Sequence, residues 1–209
     1  MLKLLLVDRD GVINKDPGGW TKHSYVTEPH EFHFLPGALK ALALLNRNGV
    51  RVVIVSNQAG VSKGYFTKEK LDAVNTRMLD EIGKHGGRIE EVCYCIHKDE
   101  DNCYCRKPKP GMLEDALHKY RISARDTYIV GDSKVDVEAG KSLGIKTIFV
   151  LSGKATADEM KKWGVKPDYI FPGLLGAVEW LLNKEKRKSE RAFKRGSPPR
   201  DKQTEASEE

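Results

Sequence analysis

The chain has 209 residues, 39% apolar and 32% charged, with a formal net charge of +6, a length that suits one well-buried domain with a small insert or tail. No apolar run approaches the ~20 residues that span a bilayer, and the early candidate, Leu2 to Val7, is broken by Lys3 and stops at Asp8, Arg9 and Asp10. Neither a membrane anchor nor a secretory signal is expected, and the expected compartment is the cytoplasm.

In chain order, Leu2–Val7 is apolar but for Lys3, the pattern of a strand buried on both faces. From Pro36 to Arg47 a helix is predicted, with Ala38, Leu39, Leu42 and Leu45 on one stripe and Asn48-Gly49 closing it. Val50–Val55 is a second buried strand. Thr67 caps a helix running to about Lys84, with Leu71, Val74, Met78, Leu79 and Ile82 predicted to face inward. Ile89–Ile96 is a third strand and leads into a Cys-rich loop; Pro110 opens a helix to about Tyr120. Thr127–Val130 is a fourth strand, Val135–Leu143 a helix stopped by Gly144, and Lys146–Val150 a fifth strand. Ala157–Trp163 and Leu174–Asn183 read as helices, with a short strand at Tyr169–Phe171 between them. The alternation implies an α/β fold, a doubly wound parallel sheet covered on both faces.

Residues 184–209 carry almost no apolar content and hold nine Lys or Arg against six Asp or Glu, half of the chain's positive surplus. A domain over 1–183 is therefore expected, followed by a basic and largely disordered tail that allows a helical extension. A solvated tail, not a nucleic-acid arm, is the reading of that charge.

Ligands bind such sheets beyond the carboxyl ends of the strands, where this sequence concentrates its polar groups. Asp8 and Asp10 follow the first strand, Ser56 and Asn57 the second, and Asp132 the fourth, with Asp136 four residues on and Lys107 just before a helix. Two carboxylates two residues apart at a strand end repel each other unless a cation joins them. Magnesium, which takes one or two carboxylates together with phosphate oxygens, fits this set. The hydroxyl of Ser56 and the ammonium of Lys107 suit a phosphoryl group.

All four cysteines fall between positions 93 and 105, a cluster that in a chain without a secretory signal points to metal. Cys95-Ile96-His97 and Cys103-Tyr104-Cys105 enclose a five-residue spacer, and three thiolates with one imidazole suit a closed, structural zinc site. An all-cysteine set using Cys93 is the alternative, though a cysteine in a strand is readily a small core residue. Such a site would pin a polar loop and so place Arg106 and Lys107.

The segments DRDGVIN, VSNQAG, CRKPKPGM and GDSKVD match in order and spacing the four motifs of the haloacid-dehalogenase-like (HAD) phosphatases. The chain resembles, over about residues 1–182, the subgroup that acts on heptose bisphosphate and histidinol phosphate, which carries a Cys-x-His and Cys-x-Cys loop at this place. The resemblance implies that Asp8 attacks phosphorus, that Asp10 protonates the leaving alcohol and then activates water, and that Ser56 and Lys107 hold the phosphoryl group. It also implies Mg2+ on Asp8, Asp132 and the Asp10 backbone carbonyl, with Asp136 orienting Lys107 or a metal-bound water. Val12 stands where the family commonly has Thr, and Ser133 where Lys or Arg is expected, which removes one substrate contact.

The connections between the strands are too short for a full cap domain, so the pocket is expected to be open, with selectivity in loops. Gly18 and Gly19 would let the backbone approach a sugar, with Trp20 stacking on it or packing on the core. Asn57 and Arg106 are expected at phosphate, Arg106 together with Lys63 favouring a bisphosphorylated sugar. The expected partner is a small phosphorylated substrate, with D-glycero-D-manno-heptose 1,7-bisphosphate, cut at C7, as the leading reading. Histidinol phosphate or another small phosphomonoester is the alternative, and a non-catalytic zinc-stabilised binding module a distant one. A monomer with no nucleic-acid or membrane partner is expected.

Overall fold

Six strands form one parallel sheet in the computed structural model, which describes residues 2–196, with side chains as far as Arg191. The strands are β1 (Leu4–Val7), β2 (Arg51–Asn57), β3 (Glu91–Cys95), β4 (Thr127–Gly131), β5 (Lys146–Val150) and β6 (Tyr169–Phe171), in the order β3-β2-β1-β4-β5-β6. β1 lies in the middle, Val7 pairing with Ile54 on one side and Val130 on the other. The chain winds outward through β2 and β3, then returns past β1 to start β4. The carboxyl ends of β1, β2 and β4 therefore meet at a topological switch point, where open sheets form a crevice.

Six α-helices cover the two faces: α1 (Ala38–Arg47), α2 (Lys68–Lys84), α3 (Gly111–Tyr120), α4 (Lys134–Ser142), α5 (Ala157–Lys161) and α6 (Leu174–Gly196). Alternate residues of β1 divide between two cores. Leu5 and Val7 pack with α1, α2 and α6, and Leu4 and Leu6 with α3 and α4. All four are fully buried, each contributing about 1.5–3 kcal/mol, which is why this strand reads as an unbroken apolar run. The helix starts follow local chemistry. Thr67 accepts from the Lys70 backbone N–H, Ser133 forms a capping box with Asp136, and Thr156 forms one with Glu159.

Three details differ from the sequence reading. In α2, Leu79 is exposed and Asn75 is buried with Leu71, Val74, Met78 and Ile82. At 100° per residue, position 75 falls inside that stripe and 79 at its edge. In α1, Leu39 is only partly buried, while Ala41 joins Ala38, Leu42 and Leu45 in the core. β2 runs on to Asn57 because Ser56 and Asn57 still pair with Tyr94 and Cys95.

α6 buries Leu174, Ala177, Val178 and Leu181 on one stripe and continues past Asn183 without a break. Lys184 Nζ donates to the Tyr128 and Tyr169 hydroxyls (3.2 and 3.0 Å) and lies 4.5 Å from the Trp180 ring centre. Glu185 accepts from the Leu2 backbone N–H at 3.1 Å. Residues 197–209, the remainder of the expected tail, lie outside the described residues. Between β1 and α1 there is a loop with a single 3-10 turn at Pro29–Glu31, and between β2 and β3 only α2 and its connections. Among the described residues, then, no inserted domain covers the strand ends. No helix among them is long and apolar enough to cross a membrane.

Candidate active site

Asp8 leaves the end of β1 with its backbone N–H still bonded to Val130 O (2.9 Å), so the sheet itself fixes where its side chain starts. One carboxylate oxygen accepts from the Arg9 backbone N–H at 2.8 Å and lies 3.0 Å from Lys107 Nζ. Lys107 is buried, and its ammonium also donates to Asp136 (2.6 Å) and Val55 O (2.7 Å). Burial alone would lower the lysine pKa, but Asp136 and Asp8 outweigh it and hold the ammonium above its ordinary range.

Oxygens of Asp8, Asp132 and Asp136 all lie within 4.8 Å of one another. Burial pushes the Asp8 carboxyl up to about 7, opposed by Lys107 and reinforced by Asp136 and Asp10. Asp132 is pushed up to about 8, first by burial, then by Asp8 and Asp136. Three carboxylates face a single ammonium, a balance that invites a divalent cation and would release protons on taking one. Both oxygens of Asp136 are already engaged, one by Lys107 and the other by the Ser133 N–H and hydroxyl. Asp8 and Asp132 are therefore the freer ligands.

Asp132 is also tightly cradled. A Cβ on Gly11 would meet its Oδ2 at 2.2 Å, and one on Gly153 at 2.1 Å. The same oxygen accepts from the Lys154 backbone N–H at 2.6 Å. Gly11 has φ +77°, the left-handed region that favours glycine, and Ser152 Oγ donates to its carbonyl at 2.8 Å.

The Asp10 carboxylate does not join the acidic cluster. Arg9 donates to it through Nε (3.3 Å) and Nη2 (3.2 and 3.0 Å), Asn14 through Nδ2 (2.8 Å) and Gln58 through Nε2 (2.7 Å). Arg9, Asn14 and Gln58 are all buried. A metal contact from Asp10 would have to come from its backbone carbonyl, as the family motif implies.

Ser56 is buried at the end of β2, its hydroxyl accepting from Gln58 at 3.0 Å. The Asn57 side chain is engaged elsewhere than expected. Its amide donates to Lys107 O (2.9 Å) and accepts from Lys107 N–H (3.1 Å). It therefore aligns Lys107 and leaves one of its two amide hydrogens for another acceptor. A cleft of about 720 Å³ opens over these residues, lined also by His23, Tyr25, Tyr65, Lys63, Lys134, Lys154 and Trp163.

Arg106 lines that cleft, but Asp99 occupies its fork, at 2.6 Å from Nε and 3.4 Å from Nη2, while Nη1 is buried without a hydrogen-bond partner among the described residues. Gly18 and Gly19 are not among the lining residues, whereas Asp16 and Pro17 are. The Gly18 N–H bonds to Asp16 Oδ1, closing a local turn. Trp20 donates to Asp16 O at 2.6 Å and packs 5.4 Å from the His33 ring. Ser133 serves as the helix cap of α4, and Lys134 beside it reaches the cleft.

Beyond the cleft, Cys95, His97, Cys103 and Cys105 bring four ligand atoms within 4.8 Å. Neighbouring pairs are 3.3 to 3.6 Å apart, the spacing of a small tetrahedral site with thiolate ligands at ~2.3 Å. Cys93 is outside this group. Burial chiefly pushes its thiol up to about 11, and it packs against the α3 core. The cluster ends one residue before Arg106, so anything that fixes it also fixes the start of the Arg106-Lys107 segment.

Sequence reasoning missed the Arg9, Asn14 and Gln58 contacts and the Gly153-Lys154 cradle. The second carried a usable signal, since Gly153-Lys154 follows closely on the fifth strand, just beyond its carboxyl end.

A family model described as HAD-hydrolase-like matches residues 104–177. D-glycero-beta-D-manno-heptose-1,7-bisphosphate 7-phosphatase of Neisseria meningitidis is 34% identical over 87% of this chain and 95% of its own length. The enzyme of that name from Pseudomonas putida is 37% identical over 87% of this chain and all of its own length. Among solved structures, D,D-heptose 1,7-bisphosphate phosphatase from Bordetella bronchiseptica, complexed with magnesium and phosphate, superposes with a TM-score of 0.80 at 32% identity. It covers 88% of this chain and 99% of that one.

Proposed function

The chain belongs to the HAD-like phosphatases, in the branch of these heptose-bisphosphate relatives, and we propose that it removes the C7 phosphate of D-glycero-D-manno-heptose 1,7-bisphosphate. The observation that carries this reading is the joining of likeness over nearly the whole chain with Asp8, Lys107 and Asp132 gathered at the sheet's switch point. The phosphorylated sugar is the expected partner. The open cleft, lined by Lys63, Lys134 and Lys154 besides Lys107, suits a substrate with more than one anionic group.

Asp8 is the nucleophile: its carboxylate attacks phosphorus and the ester P–O bond breaks. The Asp10 carboxyl gives its proton to the leaving oxygen. A water then attacks the aspartyl-phosphate, Asp10 takes a proton from it, and the Asp8–P bond breaks to return carboxylate and inorganic phosphate. Lys107, held by Asp136 and Asn57, and Ser56 receive the charge of the transferring group. The cluster fits magnesium, held by Asp8, Asp132 and the Asp10 carbonyl. When bound, magnesium supplies charge stabilisation to the phosphoryl oxygens. The Cys95, His97, Cys103 and Cys105 set fits zinc as a structural ion.

Because Asp132 has no room beside Gly11, Gly11→Ala is expected to raise the magnesium concentration for half-maximal activity by at least ~10-fold. The strain should also lower stability by about 1–3 kcal/mol. A magnesium titration beside a thermal melt checks both. The proposal itself is tested by phosphate release, with magnesium, from both anomers of heptose 1,7-bisphosphate and from histidinol phosphate. Selective turnover of a heptose anomer is expected. Preference for histidinol phosphate would move the enzyme to that substrate, and turnover of neither would overturn the reading.

A further inference from the structure

Asp10 is held unlike any other acid in the cleft. Five donor contacts between 2.7 and 3.3 Å reach its two oxygens from three side chains, Arg9, Asn14 and Gln58. Gln58 and Asn14 are wholly buried and Arg9 is 1% exposed, so the lock lies beneath the cleft and leaves the substrate side of Asp10 open. Arg9 is itself braced from the far side, its Nη1 donating to Asn75 Oδ1 on α2 at 3.4 Å. Both amides leave their oxygens, Asn14 Oδ1 and Gln58 Oε1, buried and without a hydrogen-bond partner among the described residues.

Buried polar atoms are seldom left unpaired, because the lost hydration goes uncompensated. Two such atoms in amides that both donate to one carboxylate make Asp10 the common target of the arrangement. The reverse amide orientation would set an oxygen against a carboxylate oxygen, which is repulsive. Gln58 has a second tie, since the same Nε2 donates to Ser56 Oγ at 3.0 Å. One buried amide thus links the hydroxyl expected at the phosphoryl group to the carboxylate expected to handle the proton.

We propose that Gln58, with Arg9 and Asn14, is a positioning residue that fixes the Asp10 carboxylate as the base for hydrolysis of the aspartyl-phosphate. This rests on the reading of Asp8 and Asp10 given above. In that step water attacks phosphorus, its proton passes to the Asp10 carboxylate, and the bond between phosphorus and Asp8 oxygen breaks. A carboxylate gripped by donors on both oxygens cannot rotate, so the lone pair left toward the cleft keeps its aim. Removing the Gln58 donor loosens the base and the Ser56 hydroxyl it also holds, without touching Asp8, Lys107 or Asp132.

The test is Gln58→Met, which keeps length and bulk but has no donor, read beside Gln58→Glu, which sets an acceptor against Asp10. With magnesium and p-nitrophenyl phosphate, whose leaving group needs no proton from Asp10, Gln58→Met should lower kcat about 10- to 100-fold with KM unchanged or lower. Acid-quenched enzyme should carry more phosphate at steady state than the parent. Gln58→Glu should be slower still. A purely structural role would lower the melting temperature and leave the steady-state level of phosphoenzyme unmoved. The proposal is overturned if Gln58→Met matches the parent in kcat and phosphoenzyme level, or if activity falls with no extra phosphoenzyme. If the parent turns over no phosphate ester, the underlying reading fails instead, and the two failures are distinguishable.

Discussion

Asp8→Asn is expected to lose phosphatase activity by roughly three to six orders of magnitude, the scale seen when a catalytic nucleophile is removed. The amide has the shape of the carboxylate but neither its charge nor its nucleophilicity. The fold should not suffer. Asp8 is a partly buried acid pushed up to about 7 by desolvation and by its acidic neighbours, so the neutral amide relieves repulsion with Asp132 and Asp136. Lys107 keeps Asp136 and Val55 O as partners. A melting temperature equal to or above the parent's is therefore expected, which separates lost chemistry from lost folding. Activity within tenfold of the parent would contradict the assignment.

The second large effect is expected at the Cys95, His97, Cys103 and Cys105 cluster. The chain should bind zinc, and Cys103→Ser should release it. Losing a closed site costs stability because binding energy is folding energy for the loop it pins. A loss of about 3 kcal/mol would lower the melting temperature of a domain this size by roughly 6–12 °C. Activity should fall as well, since Arg106 and Lys107 follow the cluster directly and a displacement of ~1 Å can cost about 100-fold. Cys93→Ser is the control. Its thiol is half-buried, outside the cluster and raised by burial, so zinc and activity should both be retained. Zinc analysis with melting curves checks the pair, and zinc kept by Cys103→Ser would contradict the site.

The fold was legible because its central strands are buried on both faces. Leu4 to Val7 and Val52 to Val55 must be apolar at every position to sit between two helical layers, and such runs stand out from amphipathic helices. The site was legible for a related reason: polar residues directly after those runs have nowhere to go but the strand ends. What escaped depends on contacts distant in sequence. Asn57 read as a phosphate donor, yet Lys107, fifty residues on, takes one of its amide hydrogens and the amide oxygen. Arg9, between two acids, gave no sign of which one it would grip. α6 continues because Lys184 and Glu185 find Tyr128, Tyr169 and the Leu2 backbone, partners that composition does not reveal. Asn75 entered the α2 stripe as a polar residue because Arg9 meets it there.

The account stands most directly on where phosphate becomes attached. Enzyme turning over labelled heptose 1,7-bisphosphate with magnesium should be quenched in acid, digested, and its peptides assigned by mass spectrometry. A hydroxylamine-labile phosphate is expected on Asp8, absent from Asp8→Asn. Label on another residue, or phosphate released at the full rate with no covalent intermediate even in Gln58→Met, would contradict it.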